Sequence, residues 1–334
     1  MGGDTFNSSR SKDCKTKAEL NHGNIVKIKK KLYFLFRKTQ SFFDEGFSPV
    51  LKIITGERIQ LLCDHFLGQV NDFHGNPRIK KRKNRWLPIE TINSSIHNKP
   101  RVFCYTHLLE DPTYLIKKLA FLKNPFVLVF HNSDYNFEEK HLVLFDHLPN
   151  MRHIFTQNMK VSDERVSPLP IGIANRMWRH GNLWLLTSMI KREPPKTDLV
   201  FFNFSINTNR EKREVCYQKI KEKGIEFLPW RGVLPHWETL QTHKYAICPE
   251  GNGIDTYRFW ECLYLKVIPI CKRNILVEHF AKDFPVVLLD DWADLDLNQL
   301  AENYDTYNWK NWEKLDISTY ENLIAEKVKS LTGR

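Results

Sequence analysis

Short apolar stretches of strand length alternate with stretches of helical length along most of this chain, and this alternation is the strongest constraint on its fold. β-Branched and aromatic residues are frequent in the short stretches, and the segments between them have the apolar spacing of amphipathic helices. Such alternation is typical of parallel sheets covered by helices on both faces. The predicted strands are 102–106, 126–130, 153–155, 199–202, 245–248, 267–271 and 286–289, and the predicted helices include 112–122, 210–223 and 256–265.

The length predicts two domains, because 334 residues with 42% hydrophobic residues are enough for two packed cores. Two prolines and several charges in the stretch "IKREPPKTD", residues 190–198, indicate a hinge between them. The predicted organisation is a basic N-terminal extension over 1–45, an N-terminal domain over 46–190, a C-terminal domain over 191–305, and C-terminal helices over 306–334 that pack back toward the N-terminal domain.

A net charge of +11 is concentrated in two basic runs, residues 27–38 and 78–85. The second run has no aromatic residues between its bases, which favours a solvated loop over a nucleic-acid surface. The first favours a surface helix packed on its own domain, with peripheral contact to an acidic surface as the alternative. No apolar stretch is long enough to span a membrane and no secretory signal pattern is present, so we expect a cytoplasmic protein, in the host cytoplasm if the source is viral.

The stretch "YAICPEGNGIDTYRFWECLYLKVIPI" places a glycine turn between a buried strand and a helix. Gly251 and Gly253 permit a positive φ, and Asp255 or Thr256 is in position to cap the helix. A turn that leads into a helix N-terminus favours anions, because its free N–H groups and the helix dipole point the same way. The sequence therefore predicts a phosphate site at this turn, although neither the dinucleotide fingerprint nor the Walker motif is present.

On the helix after the turn, Arg258 and Glu261 lie three residues apart and share a face with Asp255. This spacing directs their side chains toward the turn. An Arg–Glu pair on an ordinary surface helix is the structural alternative, and the spacing alone does not decide between the two.

The same stretch resembles the C-terminal signature of exostosin-type glycosyltransferases, with a proline–glycine turn, Asp-Thr-x-Arg-Phe-Trp-Glu, and an apolar strand containing Ile-Pro. The resemblance extends over 53–287 through "LVFHNSDYNF", "FTQNM", "PLPIGIANRMWRHGN" and "FFNFSINTNREKR". It implies an α/β fold of GT-B type, two Rossmann-like domains facing across a cleft, with the nucleotide sugar held by the C-terminal domain and the acceptor by the N-terminal one. The family usually has glycine before the Ile-Pro strand, and here that position is Lys266.

The resemblance also implies inversion at the anomeric carbon without a bound metal, so positive charge from the protein must stabilise the departing diphosphate. Arg258 and the 251–256 backbone are assigned to the diphosphate, Glu261 to the ribose diol, and Arg213 or Arg210 to the second phosphate edge. The alternative for Arg213 is that it is a solvated charge on a helix, and the alternative for Glu250 is that it caps the turn. The predicted donor-binding residues are Arg210, Arg213, Glu250, Gly251, Asn252, Gly253, Asp255, Thr256, Arg258 and Glu261.

The catalytic base is sought at the end of the predicted strand in "VLVFHNSD". Asp134 is the predicted base, because a carboxylate at the mouth of a cleft can accept a hydroxyl proton. His131 is the alternative base, and helix capping is the alternative role for Asp134. His107, Asn175 and Trp178 are predicted to contact the acceptor, with a packed domain-joining loop as the other interpretation of the last two.

These assignments predict an inverting glycosyltransferase that moves a sugar from a nucleotide sugar, UDP-linked rather than GDP-linked, to a glycan or glycoprotein. No cofactor or metal is predicted, because the Asp-x-Asp pattern at Asp294 and Asp296 lies beyond the last predicted strand. The alternatives are a fucosyltransferase of related fold and a basic nucleic-acid-binding or DNA-modifying protein.

Overall fold

The computed structural model describes residues 52–69, 88–90 and 100–332, which form two β-sheets in succession along the chain. The predicted extension over 1–45 and both basic runs lie outside the described residues. Within the described ranges no helix is long and apolar enough to cross a membrane.

The first sheet has six strands in the order β2-β1-β3-β4-β5-β6. Only the pairing of β1 with the edge strand β2 is antiparallel, and the other neighbours are parallel. The central strand β4 is buried along its whole length, as expected for a parallel sheet covered on both faces. The strands are β1 (His65–Gln69), β2 (Pro88–Glu90), β3 (Arg101–Tyr105), β4 (Phe126–His131), β5 (Met151–Thr156) and β6 (Val166–Pro168).

The second sheet has four parallel strands in the order β10-β9-β8-β7. Its strands are β7 (Asp198–Phe201), β8 (His243–Ile247), β9 (Ile268–Lys272) and β10 (Val287–Leu289). Parallel strands put all their carboxyl ends on one edge of a sheet, and that edge is where ligands of open α/β sheets bind.

Helices connect the strands in both sheets, and several begin with a side-chain cap. Thr55 Oγ1 accepts a hydrogen bond from the Arg58 N–H at the start of α1, and Asn209 Oδ1 does the same for the Lys212 N–H at the start of α5. The helices are α1 (Gly56–Leu61), α2 (Thr113–Leu119), α3 (Glu139–Leu142), α4 (Leu183–Ile190), α5 (Arg210–Glu222), α6 (Val233–Leu240), α7 (Tyr257–Tyr264), α8 (Ile275–Phe280), α9 (Leu297–Asn303) and α10 (Ile317–Thr332).

The end of α7 explains how the chain turns without the glycine that the family resemblance led us to expect. Lys266 adopts a left-handed conformation with φ of 52°. Its N–H donates to the Leu263 carbonyl at 3.2 Å and the Val267 N–H donates to the Cys262 carbonyl at 2.8 Å, which together form a Schellman motif. Lysine therefore takes the usual glycine position, at a conformational cost of about 1–2 kcal/mol.

The C-terminal helix α10 packs against the first sheet. Its residues Ile317, Tyr320 and Ile324 belong to one buried cluster with Phe103 of β3 and Val127 of β4. The predicted domain boundaries remain predictions, because the sheets share a continuous core that does not by itself divide the chain.

The fold class is confirmed, since the chain is α/β with one largely parallel and one fully parallel sheet on either side of a cleft. Each predicted strand is present, with ends displaced by no more than two residues, and so are the three predicted helices. The prediction omitted β1, β2 and β6. These strands lie toward the edges of the first sheet, and two of them are only three residues long, too short for a period-two pattern to show.

Gly253 shows why the turn after β8 contains glycine. Neither Gly251 nor Gly253 has the positive φ that the sequence led us to expect. A Cβ on Gly253 would lie 2.4 Å from Nδ2 of Asn158, which follows β5 of the first sheet. The glycine is therefore required for close approach between the two sheets and not for an unusual backbone conformation.

We expect Gly253→Ala to destabilise the protein by about 1–3 kcal/mol, the usual cost of overpacking a tight contact. The reference background is Asn158→Gly, which removes the side chain that would clash. Thermal unfolding of the two single variants and the double variant measures the coupling between the sites. If Gly253→Ala costs as much in the Asn158→Gly background as in the wild type, the close approach is not what requires glycine.

Candidate active site

A cleft with a volume of about 1310 Å³ lies between the two sheets. It is lined by residues that follow the carboxyl ends of β3, β4 and β5 in the first sheet and of β7 and β8 in the second. Convergent polar side chains from both sheets in a cleft of this size are typical of a binding site for a large substrate.

Arg213 is a buried cation on the second-sheet side of the cleft. Its Nε donates to the Glu250 carbonyl at 2.8 Å and its Nη1 to the Ser205 carbonyl at 2.8 Å. The guanidinium also lies over the ring of Phe204. Backbone carbonyls orient the group without neutralising it, and no carboxylate among the described residues forms an ion pair with it. The site therefore retains a positive charge.

Arg258 lies close enough to Arg213 to affect its ionisation. Burial, and then the positive charge of Arg258, lower the pKa of Arg213 to about 10. The positive charge of Arg258 is itself partly neutralised, because its Nε donates to Glu261 Oε2 at 3.2 Å. Glu261 therefore balances Arg258 alone, and Arg213 has no ion-pair partner among the described residues. The two guanidinium groups together keep an excess of positive charge, which suits an anionic ligand.

His236 was not predicted, and it holds the other end of Arg258. Arg258 Nη2 lies 2.6 Å from His236 Nε2, and Nη1 donates to the Asn203 carbonyl at 2.8 Å. Arginine can only donate, so Nε2 accepts and the imidazole is neutral with its proton on Nδ1. Burial, with a further contribution from Arg258, lowers the pKa of His236 to about 2. His236 is a single histidine on the short helix α6, and the sequence around it does not indicate that it binds an arginine.

The glycine turn contacts side chains on both walls of the cleft. Gly251 lies beside Arg213, and a Cβ there would be 3.3 Å from its Nη2. Asn252, in contrast, donates from Nδ2 to Asp134 Oδ2 across the cleft at 2.9 Å. Thr256 is the N-cap residue of α7, but its side chain makes no capping hydrogen bond.

Asp255 joins the two sheets through its buried carboxylate. Oδ2 accepts the Ile171 N–H at 2.6 Å, Oδ1 accepts the Trp260 Nε1–H at 2.9 Å, and the Asp255 N–H donates to Asn158 Oδ1 at 3.0 Å. Burial outweighs these hydrogen bonds and raises the pKa of Asp255 to about 7. Asp255 was predicted to bind the donor, but both of its carboxylate oxygens are already engaged with protein groups.

His131 is the last residue of β4 and Asp134 follows three residues later, and their side chains lie in very different surroundings. Asp134 is exposed and lines the cleft. His131 is buried away from the cleft, where Nε2 donates to the Pro170 carbonyl at 2.9 Å and Nδ1 accepts the Asn132 N–H at 2.8 Å. Burial also lowers the pKa of His131 to about 4. With both ring nitrogens engaged, His131 has no free position for a substrate proton, and the geometry favours Asp134.

The three predicted acceptor residues, His107, Asn175 and Trp178, all line the cleft. Asn175 is held by its neighbours, since Oδ1 accepts the Glu57 N–H and Nδ2 donates to Asn132 Oδ1, each at 2.9 Å. Trp178 is 52% exposed and presents an aromatic surface to the cleft.

Two predicted donor residues do not reach the cleft. Glu250 forms an ion pair with Lys212, and Arg210 lies exposed at the first position of α5. The Asp-x-Asp pattern is also accounted for by local structure. Asp294 Oδ2 accepts the Asp291 N–H, and Asp296 caps α9. In the described part of the chain, no group of three or more histidine, cysteine or acidic side chains is arranged to hold a metal ion.

The cleft also contains residues that the sequence reasoning missed. They come from loops and short helices whose place beside the cleft is set by the packing of the two sheets, and their composition gives little sign of a site. Besides His236, they include Glu57, Glu110, Tyr135, Trp230 and Tyr257.

Comparison with known proteins adds weak structural similarity. A scan against protein-family models and a search of curated proteins found no match. Similar solved structures include an alpha,alpha-trehalose-phosphate synthase (UDP-forming) from Burkholderia vietnamiensis, which is 11% identical, has a TM-score of 0.41, and matches over 70% of this chain and 72% of that one. An OtsA apo structure is 10% identical, with a TM-score of 0.41 and coverage of 69% and 72%. A structure described as trehalose-6-phosphate from E. coli bound with UDP-2-fluoro glucose is 9% identical, with a TM-score of 0.35 and coverage of 70% and 71%. TM-scores below 0.5 are too low for an inference about function.

The raised pKa of Asp255 predicts a pH dependence of stability. Between its ordinary value of 3.8 and about 7, the folded protein keeps a proton that the unfolded chain has lost. The stabilising contribution of Asp255 to the free energy of unfolding is therefore complete below about pH 4 and is lost as the pH rises to about 7. Asp255→Asn has no carboxylate at this position and does not lose this stability as the pH rises. The free energy of unfolding of the variant minus that of the wild type should therefore increase by about 2–4 kcal/mol between pH 4 and pH 7.5.

Urea unfolding at a series of pH values measures this shift. Asp134→Asn, which changes an exposed carboxylate, is the control for general effects of charge removal. A difference between Asp255→Asn and wild type that stays constant over this pH range would show that Asp255 is ionised in the folded protein.

Proposed function

We propose that the protein is an inverting glycosyltransferase of GT-B type that transfers a sugar from a nucleotide sugar to a glycan hydroxyl. The observation that carries this proposal is the pair of guanidinium groups of Arg213, which is buried, and Arg258, which is half-buried, in a large cleft. Of the two, only Arg258 forms an ion pair with a described carboxylate, that of Glu261. Gly251 of the turn that precedes α7 lies beside Arg213, and the dipole of α7 adds positive potential to the proposed anion site. An exostosin-like subtype is the part of the proposal that rests on the sequence resemblance alone.

The donor diphosphate is assigned to Arg213, Arg258 and the turn. Arg213 Nη2 makes no hydrogen bond with a described residue and lies next to Gly251 at the cleft, so it is available to a phosphate oxygen. Arg258 is held in place by Glu261, His236 and the Asn203 carbonyl. Fixed positive charge at this point stabilises the leaving group when the bond to the sugar breaks. The ribose diol is assigned to Glu261, and the proposed donor is a UDP-sugar.

Asp134 is the proposed base on the opposite wall. It takes the proton of the acceptor hydroxyl as that oxygen forms a bond to the anomeric carbon, and the bond from this carbon to the diphosphate breaks with its electron pair going to the diphosphate. Attack from the wall opposite the leaving group inverts the anomeric centre. The arginines provide the charge that a metal ion provides in other glycosyltransferases, so we propose that no metal is required.

Arg213→Ala should weaken UDP binding by about 10- to 150-fold, because it removes charge-assisted hydrogen bonds worth about 1.5–3 kcal/mol. The matched control is Arg210→Ala, three residues earlier on the same helix and outside the cleft, which should bind like wild type. Calorimetric titration with UDP in the presence of EDTA, and then with Mn²⁺, also tests the metal independence. Equal affinities for the two variants would contradict the donor site, and binding only with Mn²⁺ would contradict the metal-free proposal.

Asp134→Asn should leave UDP affinity nearly unchanged and lower turnover by about 10²- to 10⁴-fold, the usual contribution of a positioned base. Asn252→Ala is the control, because it removes the hydrogen bond to Asp134 and keeps the carboxylate. Its turnover should fall by less than about tenfold. Turnover is measured by UDP release with the donor sugar identified by screening. Near-normal turnover of Asp134→Asn would exclude this carboxylate as the base.

A further inference from the structure

The two walls of the cleft differ in charge. The second-sheet wall carries Arg213 and Arg258 together with two carboxylates that protein groups already engage: Glu261 is paired with Arg258, and Asp255 accepts the Ile171 N–H and the Trp260 indole N–H. Arg213 is left without an ion-pair partner among the described residues. The charged residues lining the first-sheet wall are Glu57, Glu110 and Asp134. No lysine or arginine from the described part of the first-sheet half lines the cleft. The site is therefore cationic where the donor is proposed to bind and acidic where the acceptor is expected.

The acidic wall is only partly neutralised. Glu57 is paired with Arg176, whose Nε lies 3.1 Å from Glu57 Oε2. The only described hydrogen bond to the Asp134 carboxylate comes from the neutral side-chain amide of Asn252. Glu110 is exposed at the end of the turn that follows β3. Among described residues, neither Asp134 nor Glu110 forms an ion pair. Two carboxylates thus remain uncompensated beside the space for the acceptor.

Aromatic rings lie on the same wall. The ring centroids of Tyr105 and His107 are 5.3 Å apart, and those of His107 and Tyr135 are 6.4 Å apart. All three residues line the cleft, and Tyr135 is 47% exposed. Rings with an exposed face and a polar edge suit the apolar face and hydroxyls of a sugar.

From this charge separation we propose that the acceptor is an uncharged glycan and that Glu110 selects against glycans bearing carboxylate, sulfate or phosphate groups. This proposal rests on the proposed glycosyltransferase function and adds the class of acceptor to it. An anionic group on the acceptor would meet Asp134 and Glu110 on one wall. The arginines of the other wall could not compensate, because the donor diphosphate occupies them during the reaction.

The first part of the experiment separates this proposal from the function on which it rests. UDP binding to the wild-type chain is measured by calorimetry. The UDP-saturated protein is then applied to an array of immobilised glycans in which neutral glycans are paired with uronic-acid and sulfated forms of the same backbone. We expect retention on neutral members to exceed retention on their acidic counterparts by at least about fivefold at low salt.

The second part tests Glu110 directly. Glu110→Lys should raise the ratio of acidic to neutral retention by about fivefold or more at low salt, and this change should largely disappear at 0.5 M NaCl because exposed charges are screened. Glu164→Lys is the matched control, since it makes the same charge change at an exposed position that does not line the cleft. UDP affinity should be the same in both variants.

The outcomes are distinct. Failure of the wild type to bind UDP overturns the proposed function, and this inference with it. If UDP binds but acidic glycans are retained as well as neutral ones or better, or if no glycan is retained, the acceptor class alone is overturned. An equal change in Glu110→Lys and Glu164→Lys would show that net charge, and not the charge of the cleft wall, determines the preference.

Discussion

The buried carboxylate of Asp255 is the contact on which the arrangement of the cleft depends. It lies at the start of α7 in the second-sheet half and accepts a hydrogen bond from the Ile171 N–H in the first-sheet half. Asn158 and Gly253 meet beside it at a distance that leaves no room for a Cβ. A carboxylate in such a dry setting is costly unless its oxygens are engaged, and here both are. The same turn that carries the proposed donor-binding backbone therefore also fixes its distance from the opposite wall.

This shared use of the turn connects packing with chemistry. Asn252 contacts Asp134 from one side of the turn, while Gly251 lies against Arg213 on the other. The proposed base and the proposed phosphate ligands are thereby held relative to one another by a segment of a few residues. Transfer between two substrates requires such fixed geometry, because a misplacement of about 1 Å between reacting groups can cost roughly 10²-fold in rate.

The charge of each wall of the cleft depends on which of its ionised side chains lack an ion-pair partner among the described residues. Arg213 is oriented by two backbone carbonyls, which accept from its Nε and Nη1 and do not cancel its charge. Arg258 is held by Glu261 and by a neutral His236. The opposite wall keeps the carboxylates of Asp134 and Glu110 without a described cation. The resulting separation of charge across the cleft suits an anionic donor on one side and a neutral acceptor on the other.

The sequence by itself determined the parts of this protein that depend on local patterns. Runs of β-branched and aromatic residues predicted the central strands, and the spacing of Arg258 and Glu261 predicted that they would share a helical face, as their hydrogen bond shows. Only the tertiary structure decided which polar residues face a ligand and which face the protein. His131 is the last residue of β4 and Asp134 follows three residues later, yet one is buried with both nitrogens engaged and the other is exposed. Asp255 and Gly253 contact residues about a hundred positions away in the chain, and His236 reaches Arg258 from a separate helix. Contacts between residues so distant in sequence depend on how the two sheets pack, and no local pattern of residues encodes that packing.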